Sequence, residues 1–285
     1  MVKTAIATVV KNETEYIEDF IKYHLDIGID EIFIYEDYGS VSHKEITDKY
    51  DNVYLSSILD IFPEEQREEI IQMRIDKVPS QTLYINQILK YLHPTHNDGW
   101  WIWLIDVDEY ITSTEPISDV LSRFSDRDAV LLYWKNFGCS GHIYKPKYNK
   151  PIYEIYTEPC GYELYSDYKY YKITKFCVNL NKWTEDKKYW IHNANVNWVK
   201  ADGTYKRTEI VYEPLYLRHY ITKSVEEYIW KVYCRGMFHT GHRQMKSLFE
   251  MCPETKDILQ DKNFCFYINK KYKIDLYNEY NKESY

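Results

Sequence analysis

The sequence predicts an α/β protein built on an open, mostly parallel sheet with helices on both faces. Three observations lead there. Apolar, β-branched runs alternate with stretches of helical spacing as far as about residue 135, residues 5–35 read as a βαβ unit, and a tryptophan-rich run ends abruptly in carboxylates.

Ala5-Ile6-Ala7-Thr8-Val9-Val10 is the first strand and stops at the polar turn Lys11-Asn12-Glu13. Ile17, Phe20, Ile21 and Leu25 then fall at helical spacing, with Gly28 as a stop and Asn12 or Thr14 placed to cap the start. Ile32-Phe33-Ile34-Tyr35 is the second strand, closing in Glu36-Asp37 and a Gly39-Ser40 turn; the crossover between the two strands is expected to be right-handed. Residues 52–55 predict a third strand. Pro79-Ser80 opens a helix with Leu83, Ile85, Ile88, Leu89 and Leu92 on one side, and that helix leads into the apolar run 100–105. Residues 117–124 predict a short helix and 129–134 another buried strand.

Beyond this point the pattern weakens. Gly138-Cys139-Ser140-Gly141-His142 reads as a turn, and the tyrosine, lysine and proline mixture to residue 170 is loop-like. Strands are expected at 172–178, 190–192 and 215–220. Ser224 with Glu227 three residues later is a capping box that opens a helix through Tyr233. From Lys271 the tail is polar. The expected organisation is one domain over 1–240, with 241–285 as its α+β C-terminal extension.

Charge and cysteine content exclude several classes. Thirty-six basic against 44 acidic residues give a net charge of −8, which disfavours nucleic acid or an anionic membrane as the main partner and leaves at most peripheral membrane association. Hydrophobic residues make up 45% of the chain without any run of about eighteen, so a folded protein with no membrane span is expected. The six cysteines show no CxxC spacing, which disfavours a zinc site, and the chain enters a strand directly after Met1-Val2-Lys3, so reduced thiols and a cytoplasmic location are expected. Tyrosine is abundant, at 31 residues, as suits either sugar stacking or core filling.

The chemistry concentrates in Trp100-Trp101-Ile102-Trp103-Leu104-Ile105-Asp106-Val107-Asp108-Glu109-Tyr110. An apolar strand that ends in acids delivers them to a sheet edge, where open α/β sheets bind ligands. Asp106 and Asp108, two apart, share a face of an extended backbone and can converge on one Mg²⁺ or Mn²⁺ whose other positions go to phosphate oxygens and water. The plainer reading is an acidic turn.

In order along the chain, the first-strand end at Lys11-Asn12-Glu13, Tyr23-His24, Ile34-Tyr35 with Gly39-Ser40, Ile105-Asp106-Val107-Asp108-Glu109, Trp134, residues 137–142, Lys175, His192, His219-Tyr220, Lys223-Ser224, Lys231 and Arg235-Gly236 resemble the family-2-like glycosyltransferases of the GT-A fold. The likeness is stronger to the DUF23 group, glycosyltransferase family ninety-two, and its bacterial relatives. The resemblance covers roughly residues 3–240. It implies a Rossmann-like nucleotide-sugar domain, a DxD motif, a divalent metal and inversion at the anomeric carbon, in surface polysaccharide synthesis. Where the family often writes an aspartate-asparagine pair after its second strand, this chain has Glu36-Asp37-Tyr38.

On that resemblance, Asp106 and Asp108 hold the metal with His219, Asp108 directly and Asp106 through water or the ribose. Thr8, Lys11, Asn12, Glu13 and Asp37 line the base and ribose, while Lys231 and Arg235, with Lys223, neutralise diphosphate. Trp134, Asn136, Gly141 and His142 shape the acceptor or sugar pocket. The catalytic base stays open among Glu109, Glu158, Glu163 and Asp167, with Glu154 a further carboxylate in the same stretch. Lys175 and His192 enter by resemblance alone, and His24, on a helix, is expected to be structural. The expected partners are a nucleoside diphosphate sugar, with UDP favoured, and a saccharide acceptor. Two other readings are a nucleotidyltransferase, for which the glycine-rich loop after the first strand is missing, and a silent nucleotide-sugar or carbohydrate-binding protein.

Overall fold

A computed structural model describes residues 2–76, 81–147, 150–160, 174–207, 209–234, 248–249, 251–276 and 278. The chain forms two compact units, Met1–Lys135 with Asp167–His219, and Asn136–Ser166 with Tyr220–Tyr285.

The first unit opens with the βαβ pattern expected. Strand β1 (Lys3–Val10), helix α1 (Ile17–Asp26) and β2 (Glu31–Glu36) follow in order, and β1 and β2 pair in parallel from Ala5 opposite Glu31 to Val10 opposite Glu36. Ile17, Phe20 and Ile21 bury the inner face of α1, and Gly28 at φ 95° ends it in a conformation that costs glycine little. The cap differs from expectation: Tyr16 is the N-cap and offers no side-chain bond. Asn12 sits at φ 58°, its amide donates to Ser40 Oγ at 3.1 Å, and its Oδ1 accepts from the Val41 amide at 2.9 Å. Its side chain therefore ties the β1 turn to the loop after β2, and is spent before the helix begins.

Short α2 (Lys44–Thr47) leads to β3 (Val53–Ser57), which pairs in parallel with β2. Helix α3 (Glu64–Ile75) buries only Ile70, which is why no apolar stripe announces it. Helix α4 (Gln81–Leu92) buries Tyr84, Ile88, Leu89 and Leu92; Leu83, expected on that face, turns outward. Strand β4 (Trp100–Leu104) is buried throughout and runs parallel to β1 on the side away from β2. Burying an indole removes on the order of 150–250 Å² from water, so Trp101 and Trp103 each contribute about 4–6 kcal/mol of gross stabilisation to this strand.

Strand β5 (Glu109–Ser113), helix α5 (Ile117–Ser122), β6 (Ala129–Asn136), β7 (Thr174–Asn179), the hairpin β8 (Tyr189–Trp190) and β9 (Asn193–Ala194), β10 (Trp198–Lys200) and β11 (Leu215–His219) complete this unit. The main sheet has the order β3-β2-β1-β4-β7-β6-β11-β5, with β10 alongside β6. Its first four strands are parallel, so their carboxyl ends at Val10, Glu36, Ser57 and Leu104 share one edge. Strand β7 then enters antiparallel between β4 and β6, and β5 pairs antiparallel with β11.

The second unit has its own core, in which Cys139, Val225, Tyr228, Ile229, Val232, Leu248, Cys252, Phe264, Ile268 and Leu276 are buried. Its helices are α6 (Ile152–Ile155), α7 (Val225–Ile229) and α8 (Lys262–Tyr272). The capping box forms as read: Ser224 Oγ accepts from the Glu227 amide and the Glu227 carboxylate accepts from the Ser224 amide, both at 3.2 Å. Glu226, fully buried, is satisfied by Lys271 at 2.6 Å, Tyr272 at 2.7 Å, Tyr267 at 3.0 Å and the Lys145 amide at 2.8 Å, which fastens α8 to α7. No described helix is long and apolar enough to cross a membrane.

Candidate active site

The acids after β4 gather partners from four other strands of the first unit. Strand β4 ends at Leu104, and Val107, which is buried, and Asp108 are the central residues of a turn, so Asp106 and Asp108 flank Val107 on a turn and not on the extended backbone expected. The chain turns at once into β5: the Glu109 amide donates to the Asp106 carbonyl at 2.9 Å, and the Asp106 amide donates to Glu109 Oε2 at 3.1 Å. Glu109 is thus folded back under the DxD turn, with no exposed surface.

Lys175 is the cation that this arrangement needs. Strand β7 pairs Cys177 with Trp103, and continuing that antiparallel register by two residues sets Lys175 beside Ile105, at the mouth of the acidic turn. Its Nζ is 2.9 Å from Asp106 Oδ2 and 3.4 Å from Glu109 Oε1, in a side chain only 5% exposed. Desolvation acts to push the Asp106 carboxyl up and Asp108 acts in the same direction, but the Lys175 ammonium outweighs both and holds Asp106 below the usual carboxylate range. For Glu109 burial wins, and its carboxyl is pushed well up, with Asp106 and Asp108 adding to the shift and Lys175 opposing it. Lys175 stays charged: burial opposes the ammonium, and the two carboxylates more than compensate.

His219 arrives on β11 directly opposite Glu109 of β5. Its Nε2 lies 3.8 Å from Asp108 Oδ1 and its ring stacks at 3.9 Å, tilted by 42°, on the indole of Trp134 from β6. His192 meets the same indole edge-on at 5.0 Å. The His192 Nδ1 donates to the Thr174 carbonyl at 3.1 Å, and burial, then Lys175, lower its pKa to about 4, so the ring is neutral with Nε2 as an acceptor. Trp134 Nε1 and Thr8 Oγ1 are buried polar atoms without a hydrogen-bond partner among the described residues.

These residues fit a divalent cation in part. Two donors of one octahedral ion lie roughly 3 Å apart, so Asp108 Oδ1 and His219 Nε2 need only a small approach to share one. Asp106, expected as a metal ligand too, has Oδ2 given to Lys175. A carboxylate with an imidazole suits Mn²⁺ better than Mg²⁺.

The remaining residues divide clearly. Asp37 is 5% exposed and bonded by Arg74, whose Nε donates at 3.0 Å and whose Nη2 closes a second bond to the other oxygen; the Tyr84 hydroxyl lies 3.4 Å away. Its carboxylate anchors α3 to the end of β2, where a base or ribose contact was expected. Glu13 gives its amide to His43 Nε2 at 3.1 Å, and His43 Nδ1 donates to Glu36 Oε1 at 3.0 Å, so the turn carrying Lys11, Asn12 and Glu13 is strapped down by a buried histidine. Glu109, expected among possible bases, is sealed from any acceptor and supports the turn. Asn136, Gly141, His142, Glu154, Glu158, Lys223 and Lys231 belong to the second unit, where Glu158 and Glu154 are exposed and Gly141 takes φ 76°. Glu163, Asp167 and Arg235 lie outside the described residues. Sequence reasoning missed Arg74 and His43, and reached Lys175 only through the resemblance; a lone lysine in the apolar run Ile173-Thr174-Lys175-Phe176-Cys177-Val178 was the available signal.

His24 is structural. Fully buried, it donates from Nδ1 to the Phe20 carbonyl at 2.8 Å and accepts at Nε2 from the Ile111 amide at 3.2 Å, joining α1 to β5. Burial lowers its pKa from 6.5 to about 3. The unfolded chain therefore takes up the proton first, so the stability due to neutral His24 is complete above pH 6.5 and is lost as pH falls toward 3, by up to about 1.4 kcal/mol per pH unit. Urea midpoints of the wild type are expected to drop between pH 7 and pH 5, and His24→Gln to flatten that slope; parallel slopes for the two proteins would contradict the assignment.

No family model and no curated protein matches the chain. Among solved structures it is similar to the galactosyltransferase LgtC in complex with donor and acceptor sugar analogues: 11% of residues are identical, the match covers 87% of this chain and 96% of that one, and the TM-score is 0.36. The functional reading rests on this chain's own residues.

Proposed function

We propose that the chain is a metal-dependent, inverting glycosyltransferase of GT-A type, akin to the family-2-like and DUF23 enzymes, that moves a sugar from a nucleoside diphosphate sugar, with UDP favoured, to a saccharide acceptor. The supporting observation is the convergence of Asp108 and His219 beside the Lys175-anchored Asp106, at the edge where the parallel strands end. When bound there, Mn²⁺ supplies positive charge to the departing diphosphate. Asp108 and His219 would hold that ion, and Lys175 fixes Asp106 and with it the geometry of the turn. Trp134, buried and packed against His219 and His192, shapes the wall of the pocket beside the ion. The strapped turn after β1, with Thr8 Oγ1 beneath it, receives the nucleoside.

Inversion requires the acceptor oxygen to form its bond to the anomeric carbon as the bond to the diphosphate oxygen breaks on the opposite face. The acceptor proton passes to a carboxylate, for which Glu158, Glu163 and Asp167 are the candidates. Lys231 and Arg235 are assigned to the diphosphate. Release of nucleoside diphosphate from a panel of nucleotide sugars, with and without Mn²⁺, tests the reading: Mn²⁺-dependent release from at least one donor is expected. Pyrophosphate release from a nucleoside triphosphate would instead make the chain a nucleotidyltransferase, and binding without turnover of any donor would make it a silent module.

A further inference from the structure

Remote from the DxD turn in sequence and confined to the second unit, three side chains converge without a motif to announce them. Cys139 and Cys252 are buried, Glu254 is exposed, and one ligand atom from each lies within 4.8 Å of the others. The Cys139 amide donates to Cys252 Sγ at 3.2 Å across 113 residues of sequence, and Cys139 Sγ donates to Glu254 Oε1 at 3.2 Å across 115. Gly138 makes room for them. A Cβ at Gly138 would stand 3.1 Å from Cys252 Sγ, tighter than ordinary contact, and 3.6 Å from Cys160 Sγ.

We propose that Cys139, Cys252 and Glu254 form a structural site for one zinc-class divalent ion that closes the second unit, with water in the remaining position. Tetrahedral zinc with sulfur and oxygen ligands at about 2.0–2.3 Å holds its donors roughly 3.3–3.8 Å apart, close to the spacing already present. Thiolate-rich sets select zinc over Mn²⁺ or Mg²⁺, each thiol giving up its proton on ligation. An amide aimed at a sulfur orients it and stabilises the thiolate, as the Cys139 N–H does for Cys252. The exposed carboxylate of Glu254 gives the ion a way in. Linkage of Cys139 to residues 252–254 is what such an ion would add to a small core.

Metal analysis of the full chain purified from zinc-containing medium tests this, independently of the transferase reading. Wild type and Asp108→Ala are expected to hold about one zinc per chain, and Cys252→Ser to lose it. Co²⁺ replacing the zinc should give sulfur-to-cobalt charge-transfer absorption that Cys252→Ser lacks. If Cys252→Ser does not fold, the wild type carries the test: a zinc chelator lowers its melting temperature and added Zn²⁺ restores it. Wild type that retains neither zinc nor cobalt with its thiols reduced, or a Cys139–Cys252 disulfide found by mass spectrometry, would overturn the proposal.

Discussion

Asp108→Ala is expected to abolish metal-dependent turnover, lowering kcat/KM at least about 100-fold, or roughly 2.7 kcal/mol of transition-state stabilisation, while the protein stays folded. The two halves of that expectation have separate causes. Asp108 faces His219 at 3.8 Å, so its removal costs the proposed cation an oxygen ligand. Its charge also pushes the carboxyls of both Asp106 and Glu109 up. Loss of a like charge from the acidic turn relieves part of that repulsion, and the variant is expected to fold with a circular dichroism spectrum like that of wild type. A folded Asp108→Ala enzyme with normal Mn²⁺-dependent release would remove the basis of the assignment.

Lys175→Met is expected to do the reverse, costing stability first and activity with it. Removal of one partner from a buried ion pair costs about 3–5 kcal/mol; here about 2–3 kcal/mol is expected, because Asp106 is 43% exposed at its side chain. Methionine keeps the length and volume of the stem, which leaves the charge as the change. Against a typical domain stability of about 5–15 kcal/mol, the loss is measurable by chemical denaturation without unfolding the protein outright. In a double-mutant cycle, Glu109→Gln should cost less in the Lys175→Met background than in wild type. A Lys175→Met loss under about 0.5 kcal/mol, with additive changes in the cycle, would show that the lysine is not holding the turn.

Much of this architecture was legible because local and global signals agree. The strand at 100–104 is apolar without interruption and is buried without interruption, and the Ser224 capping box forms with both of its bonds. Reading failed where a residue's partner is distant. Asn12 resembled a helix cap and bonds the loop at 40–41; the pairing of Asp37 with Arg74 went unread because α3 has almost no apolar face. Strand β5 was hidden because it begins at Glu109, inside what reads as an acidic turn. The clustered thiols were invisible for the same reason: a separation of 113 residues has no periodicity to detect. The carboxylates of the candidate site could be placed from sequence, since they end a strand, but the cation that sets their charges lies across the sheet.

The central claim is that Asp108 and His219 hold the cation on which the transfer depends. Anomalous diffraction from crystals grown with Mn²⁺ and UDP, collected at the manganese edge, tests it most directly. A single strong peak within ligand distance, about 2.0–2.3 Å, of Asp108 Oδ1 and His219 Nε2, bridged to the diphosphate, is the predicted result. Manganese bound elsewhere in the first unit, or UDP seated away from the carboxyl ends of β1 and β4, would contradict it.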